Sequence, residues 1–82
     1  MKITFDQPKR MKNIAIHEGL DFADLDMAFF AGSVVIPAKA GRSMAIGPFG
    51  ETIIAVVFSP LGSEGIAIVS MRRASRKERS LL

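Results

Sequence analysis

Polar and apolar residues alternate through residues 2–5 (KITF) and then meet Asp6-Gln7-Pro8, the pattern of a short strand turning into a helix. Pro8 suits the first helical position, where its missing N–H is no loss, and Asp6 falls near the N-cap. Met11, Ile14 and Ala15 follow at i, i+3, i+4, with Lys9, Arg10, Lys12 and Asn13 mostly off that stripe, which predicts an amphipathic helix with a basic outer side. Gly19 stands where a left-handed C-cap belongs, and Leu20 would return the chain to the core. Asp21 and Asp24 open a second helix whose buried stripe is Phe22, Leu25 and Phe29 and whose end is Gly32-Ser33. Residues 8–31 thus read as an αα-hairpin in need of an apolar surface.

The rest of the chain supplies it. A β-branched run, VVI, lies in 33–37; residues 42–46 alternate; 47–50 (GPFG) read as a turn; 52–59 (TIIAVVFS) form an apolar strand; 60–63 (PLGS) turn again; 65–71 (GIAIVSM) make another strand. Four such strands in succession form an antiparallel meander. Residues 74–82 permit a short helix, with Ser75 as cap and Glu78 three residues later. The expected order is β-αα-ββββ-α, an α+β fold. At 82 residues the chain has room for one domain, residues 1–82, and one modest core.

Composition removes several classes of function. Without cysteine there is no disulfide, no CxxC pair and no thiolate metal site, and with one histidine no two-imidazole acid–base pair can be built within one chain. The longest uncharged stretches, 27–38 and 52–63, have 12 residues each, too few for a membrane-spanning helix. No apolar segment follows Lys2, so the expected location is the cytoplasm, with no membrane partner.

The net charge of +3 is strongly segregated: residues 1–12 carry +3, residues 13–70 carry −4 and residues 71–82 carry +4. If the two ends meet in space they make one basic face of Lys9, Arg10, Lys12, Arg72, Arg73, Arg76, Lys77 and Arg79. Its arginine-rich part suits bidentate contact with phosphate. A solvated surface and a dock for an acidic protein are the plainer uses of such a face. Tyr and Trp are absent and the six Phe fall mostly at core positions, so the stacking platform of many RNA binders is missing.

Discrete chemistry is sparse. His17 could serve as a general base, or simply favour the C-terminal end of the first helix through the dipole. Asp21, Asp24 and Asp26 spread over different helical faces and do not form a cation loop. No serine has a nucleophile context, and neither glycine-containing turn has a nucleotide-binding pattern. No helix-turn-helix pattern is visible either.

The segments ITFDQPKR, GLDFADLDMAFFAG, RSMAIGPFG, IIAVVFSPLG and IVSMRRASRKER, in this order, resemble the BrnT-type toxins of bacterial toxin–antitoxin pairs. The resemblance runs over nearly the whole chain, and IVSMRRASRKER is its most specific part. It implies a RelE-like fold: a short N-terminal strand, a two-helix hairpin packed on a mostly antiparallel sheet of four to five strands, and a short basic C-terminal helix. It also implies a metal-independent ribonuclease, without cofactor, that halts translation and is neutralised by a BrnA-type antitoxin. RNA would be the substrate, and DNA would be reached only through the antitoxin complex, with a toxin homodimer inside a heterotetramer.

The positions that match the family are Lys9, Arg42, Arg72, Arg73, Arg76 and Glu78, together with Asn13 and His17 of its Asn-x-x-Lys-His-Gly stretch. Ile16 stands where that stretch has Lys, Glu18 precedes Gly19, the segment between Gly32 and Arg42 is short, and Leu81 and Leu82 replace a frequent tyrosine. The expected roles follow from what RNA cleavage requires: Arg42, Arg72 and Arg76 on the phosphate and its transition state, Lys9 assisting, and His17 and Glu78 as candidate acid and base. The alternative is a non-catalytic relative whose basic face only docks an acidic partner.

Overall fold

The computed structural model describes residues 1–82. Strand β1 (Lys2–Phe5) leads into helix α1 (Gln7–Ile16); a single 3-10 turn at Phe22–Asp24 and a short helix α2 (Met27–Ala31) follow. Then come β2 (Val34–Pro37), β3 (Ser43–Phe49), β4 (Thr52–Leu61), β5 (Gly65–Arg73) and α3 (Arg76–Arg79). The five strands form one sheet in the order β1-β5-β4-β3-β2. The meander β2 to β5 is antiparallel, and β1 joins parallel to β5, with Lys2 opposite Gly65 and Phe5 opposite Ile68. That one parallel pairing carries the N-terminal segment to the C-terminal strand.

Three aspartates start the helical pieces. Asp6 accepts from the Lys9 N–H, Asp21 from the Ala23 N–H and Asp26 from the Phe29 N–H. The expected second helix is therefore two pieces. Asp21 starts one turn, Leu25 is extended (φ −80°, ψ 139°), and Asp26 starts α2. Phe22, Leu25 and Phe29 are nevertheless buried as a set. At the end of α1 the left-handed backbone expected at Gly19 (φ +82°) begins one residue early, at Glu18 (φ +55°).

The two turns expected around Pro48 and Pro60 are shorter than the sequence suggests, because both prolines lie inside strands. β2 pairs with β3 only as far as Ile46, and β3 pairs with β4 only from Phe58 back toward Thr52. Each proline thus sits where its strand has a free edge on one side, and its missing N–H removes no ladder bond there.

The core lies on one sheet face: Phe22, Leu25 and Phe29 pack on Ala45, Ile54, Val56, Phe58, Ile66, Ile68 and Met71. All six phenylalanines join it or its border, with edge-to-face pairs such as Phe5–Phe22 at 5.9 Å and Phe30–Phe58 at 5.4 Å. Alternation sends Met44, Ile46, Ala55 and Val57 to the other face.

In β5 that alternation is interrupted. Phe58 pairs with Ile68 and Val57 with Ser70, so Val69 is an extra residue, a β-bulge. In a regular strand Arg72 would share a face with Ile66 and Ile68 and point into the core. The bulge puts Met71 in the core instead and turns Arg72 to the opposite face, beside Ala55.

Candidate functional site

Helix α1 packs along the part of β5 that outruns β1, and it does so through a polar side chain. The Asn13 carboxamide accepts from the Met71 N–H (3.1 Å) and donates to the Met71 carbonyl (2.9 Å), taking the place of the missing neighbour strand. Its second N–H goes to the Leu20 carbonyl (3.0 Å). Asn13 is buried, whereas Met11 and Ala15 of the expected apolar stripe are exposed and Ile14 is half-buried. The helix is held by a hydrogen-bonded clamp rather than by an apolar seam.

This clamp sets two adjoining clefts on either side of Ile16 and His17. One, of about 240 Å³, holds Lys9, Lys12, Asn13, Val69 and Ser70; the other, of about 310 Å³, holds Glu18, Leu20, Arg72 and Arg73. Lysines from the N-terminal segment and arginines from the C-terminal one thus meet around a single imidazole. The bulged Val69 is in the first cleft with Ser70.

Not every basic residue on the expected face is free. Arg10 makes a bidentate pair with Asp21 (2.7 and 2.8 Å), and that hydrogen bond, with a second from the Ala23 N–H, pulls the Asp21 carboxyl down to about 2. Arg72 pairs in the same way with Glu78 (2.7 and 2.8 Å). The guanidinium is the main cause of a Glu78 value of about 2, and the Ser75 N–H adds to it. Both guanidinium values are raised in turn. Ser75 and Glu78 form the capping box of α3, so one carboxylate both starts that helix and ties it to β5. Arg73 reaches the exposed Glu18 carboxylate at 2.6 Å.

The expected site is therefore divided. Lys9, Lys12, His17, Arg72 and Arg73 line the two adjoining clefts, and Glu78 stands behind Arg72. Arg42 lies apart, in a third cleft of about 300 Å³ with Lys39, Met44 and Val57. Arg76, Lys77 and Arg79 are exposed on α3 and line none of the three. Glu18, Lys39, Val69 and Ser70 were not expected at the site. The spacing of the core residues Ile66, Ile68 and Met71, two and then three, is the signal that could have found the bulge. No group of three or more His, Asp or Glu residues is placed to hold a metal ion, and no helix is long and apolar enough to cross a membrane.

Comparison with known proteins identifies the family and the fold. No curated protein matches the chain. Among solved structures, the crystal structure of the Brucella abortus ribonuclease toxin BrnT is similar at 58% sequence identity and a TM-score of 0.86, over 93% of this chain and 99% of that one. Residues 5–78 match the family described as the ribonuclease toxin BrnT of type II toxin–antitoxin systems. With the family spanning nearly all of the fold, the chain belongs to the BrnT ribonuclease toxins.

Proposed function

We propose that the chain cleaves RNA, without a metal ion, in the two clefts that share His17. The observation that carries this reading is the meeting of Lys9, Lys12, Arg72 and Arg73, from opposite ends of the chain, around the one imidazole. In metal-independent cleavage a base takes the proton of the ribose 2′-hydroxyl. The 2′-oxygen bonds to phosphorus, and the 5′-oxygen leaves with a proton from an acid, giving a 2′,3′-cyclic phosphate and a free 5′-hydroxyl. Glu78 is ionised and held by Arg72 and Ser75, so it serves by orienting Arg72. That leaves proton transfer to His17 and the lysine ammoniums beside it. Arg72 and Arg73 hold the charge that builds on the phosphate oxygens, Lys9 assists, and Arg76 on α3 approaches from the flank.

As a type II toxin the chain has an antitoxin partner, and a BrnA-type protein would neutralise it by covering these clefts. The exposed Ile16 between them offers that partner an apolar contact. Toxin dimerisation within a heterotetramer, DNA contact through the antitoxin alone and a cytoplasmic location complete the proposal.

The test is induction of the isolated chain in bacteria with mapping of RNA ends. Growth arrest with new cleavage sites is expected, and His17→Ala and Arg72→Ala should each lower cleavage by about 10²–10³, the cost of removing a single transition-state group. Intact RNA and normal growth, with antitoxin binding retained, would leave a docking protein and overturn the ribonuclease reading.

A further inference from the structure

The third cleft is not isolated from the first two. Met44 pairs with Val57, and Val57 with Ser70, so these three residues form one row across β3, β4 and β5. The row lies on the face opposite the core, because its neighbours in each strand, Ala45, Val56 and Met71, are core residues. Ser70 belongs to the Lys9–Lys12 cleft, while Met44 and Val57 belong to the Lys39–Arg42 cleft. The two clefts are therefore neighbours across the Val57–Ser70 step, with a cation pair beside each and half-buried Met44 and Val57 between them.

We propose that the Lys39–Arg42 cleft is a second RNA subsite, holding a phosphate and base of the same strand that is cut near His17. This rests on the RNA reading above and extends it. Charge complementarity selects the occupant: neither of these two clefts is lined by a carboxylate. The backbone that carries the cations of the Lys39–Arg42 cleft is held in a closed turn. The Ala38 N–H donates to the Arg42 carbonyl (2.8 Å) and the Arg42 N–H to the Lys39 carbonyl (3.2 Å), with Ala40 and Gly41 at positive φ closing the turn. Crossing from β5 to β3 takes two strand spacings, about 10 Å. The two cation pairs therefore grip different phosphates of one strand. Between them Val57 and Met44 offer apolar contact to base faces in a chain whose aromatic rings are all committed to the core.

The consequence is a dependence on substrate length. The probe is 2′-O-methyl RNA, which lacks the nucleophilic hydroxyl and is bound without being cut. It is used as a trinucleotide followed by chemical-shift titration and as a strand of about ten nucleotides followed by fluorescence anisotropy, a length within the span of single-strand binding folds. The Lys39→Ala/Arg42→Ala variant should weaken the long strand about fivefold to tenfold and reduce its salt slope by about 0.7, the loss of one phosphate contact, while leaving the trinucleotide unchanged. Lys9→Ala/Lys12→Ala should weaken both lengths. Equal loss on both lengths in the first variant, or no loss on the long strand, overturns the second subsite while the RNA reading stands. So does a Lys39→Ala/Arg42→Ala variant that loses antitoxin and keeps RNA. If the wild-type chain binds neither length, the RNA reading fails and takes the subsite with it.

Discussion

Replacing Asn13 by Ala tests whether one carboxamide holds α1 to the sheet. The substitution strips partners from three backbone groups, Met71 N–H, Met71 C=O and Leu20 C=O, each now bonded at 2.9–3.1 Å. A buried polar group left unpaired costs about 1–3 kcal/mol. The Lys9–Lys12 cleft reaches Asn13 and is open enough to admit water, which offsets part of the loss. The net cost works out at about 2–4 kcal/mol, out of about 4–12 kcal/mol for a chain of this length. At about 4–8 °C per kcal/mol for a domain of this size, the thermal midpoint should fall by about 8–30 °C, read by circular dichroism. Asn13→Asp gives a second readout. It keeps the acceptor, loses both donors and places a carboxylate against the Met71 and Leu20 carbonyls, so it should be at least as unstable near neutral pH and recover as acid protonates it. A midpoint lowered by less than about 4 °C in Asn13→Ala would show that water or a repacked strand end replaces the clamp and would refute the reasoning.

Two further perturbations address other parts of the framework. A Cβ on buried Gly47 would meet the Ser33 hydroxyl and lie 3.1 Å from the Ser33 Cα, so Gly47→Ala should cost about 1–3 kcal/mol by overpacking, visible as a lower urea midpoint; an unchanged midpoint would mean that β3 and Ser33 separate freely. Glu78 has a folded-state value of about 2, below its ordinary range, so its contribution to stability is complete above that range and is lost as pH falls toward 2. Thermal melts should show the wild-type midpoint dropping between about pH 5 and 2, with a shallower drop in Glu78→Gln, where Asp21 alone remains strongly perturbed; identical slopes would assign the acid sensitivity to other groups.

The strands were legible because their signals are local. The alternation of KITF, the β-branched VVI, and the apolar runs before and after PLGS each name a strand without reference to the rest of the chain. The Ser75–Glu78 capping box is equally local. What could not be read depends on who sits beside whom. Met11 and Ala15 formed an apolar stripe on paper, but α1 meets a stretch of β5 with free backbone groups, and there an asparagine fits better than an alkyl side chain. The second helix broke because Asp26 caps a new start where an unbroken run of helical turns was expected from Asp21.

The site was half legible for the same reason. Charge segregation pointed to a meeting of the two ends, and the parallel β1–β5 pairing brings it about. Nothing in the order of residues shows that Asp21 and Glu78 take up Arg10 and Arg72, or that Arg42 stands two strands away from β5. The family resemblance named Arg42 and Arg72 together; the sheet separates them.

The extra residue at Val69 makes tolerance to insertion and deletion in β5 asymmetric. Losing one residue at that position would straighten the strand and leave every later side chain on the face it has now. Gaining one while the bulge persists would reverse them, turning the Met71 thioether out to water and forcing the Arg72 guanidinium among the isoleucines, where a charge without a partner is costly. Relatives one residue shorter here can keep the same chemistry in the same register, whereas relatives one residue longer keep it only by giving up the bulge and sliding the end of β5 two residues along β4.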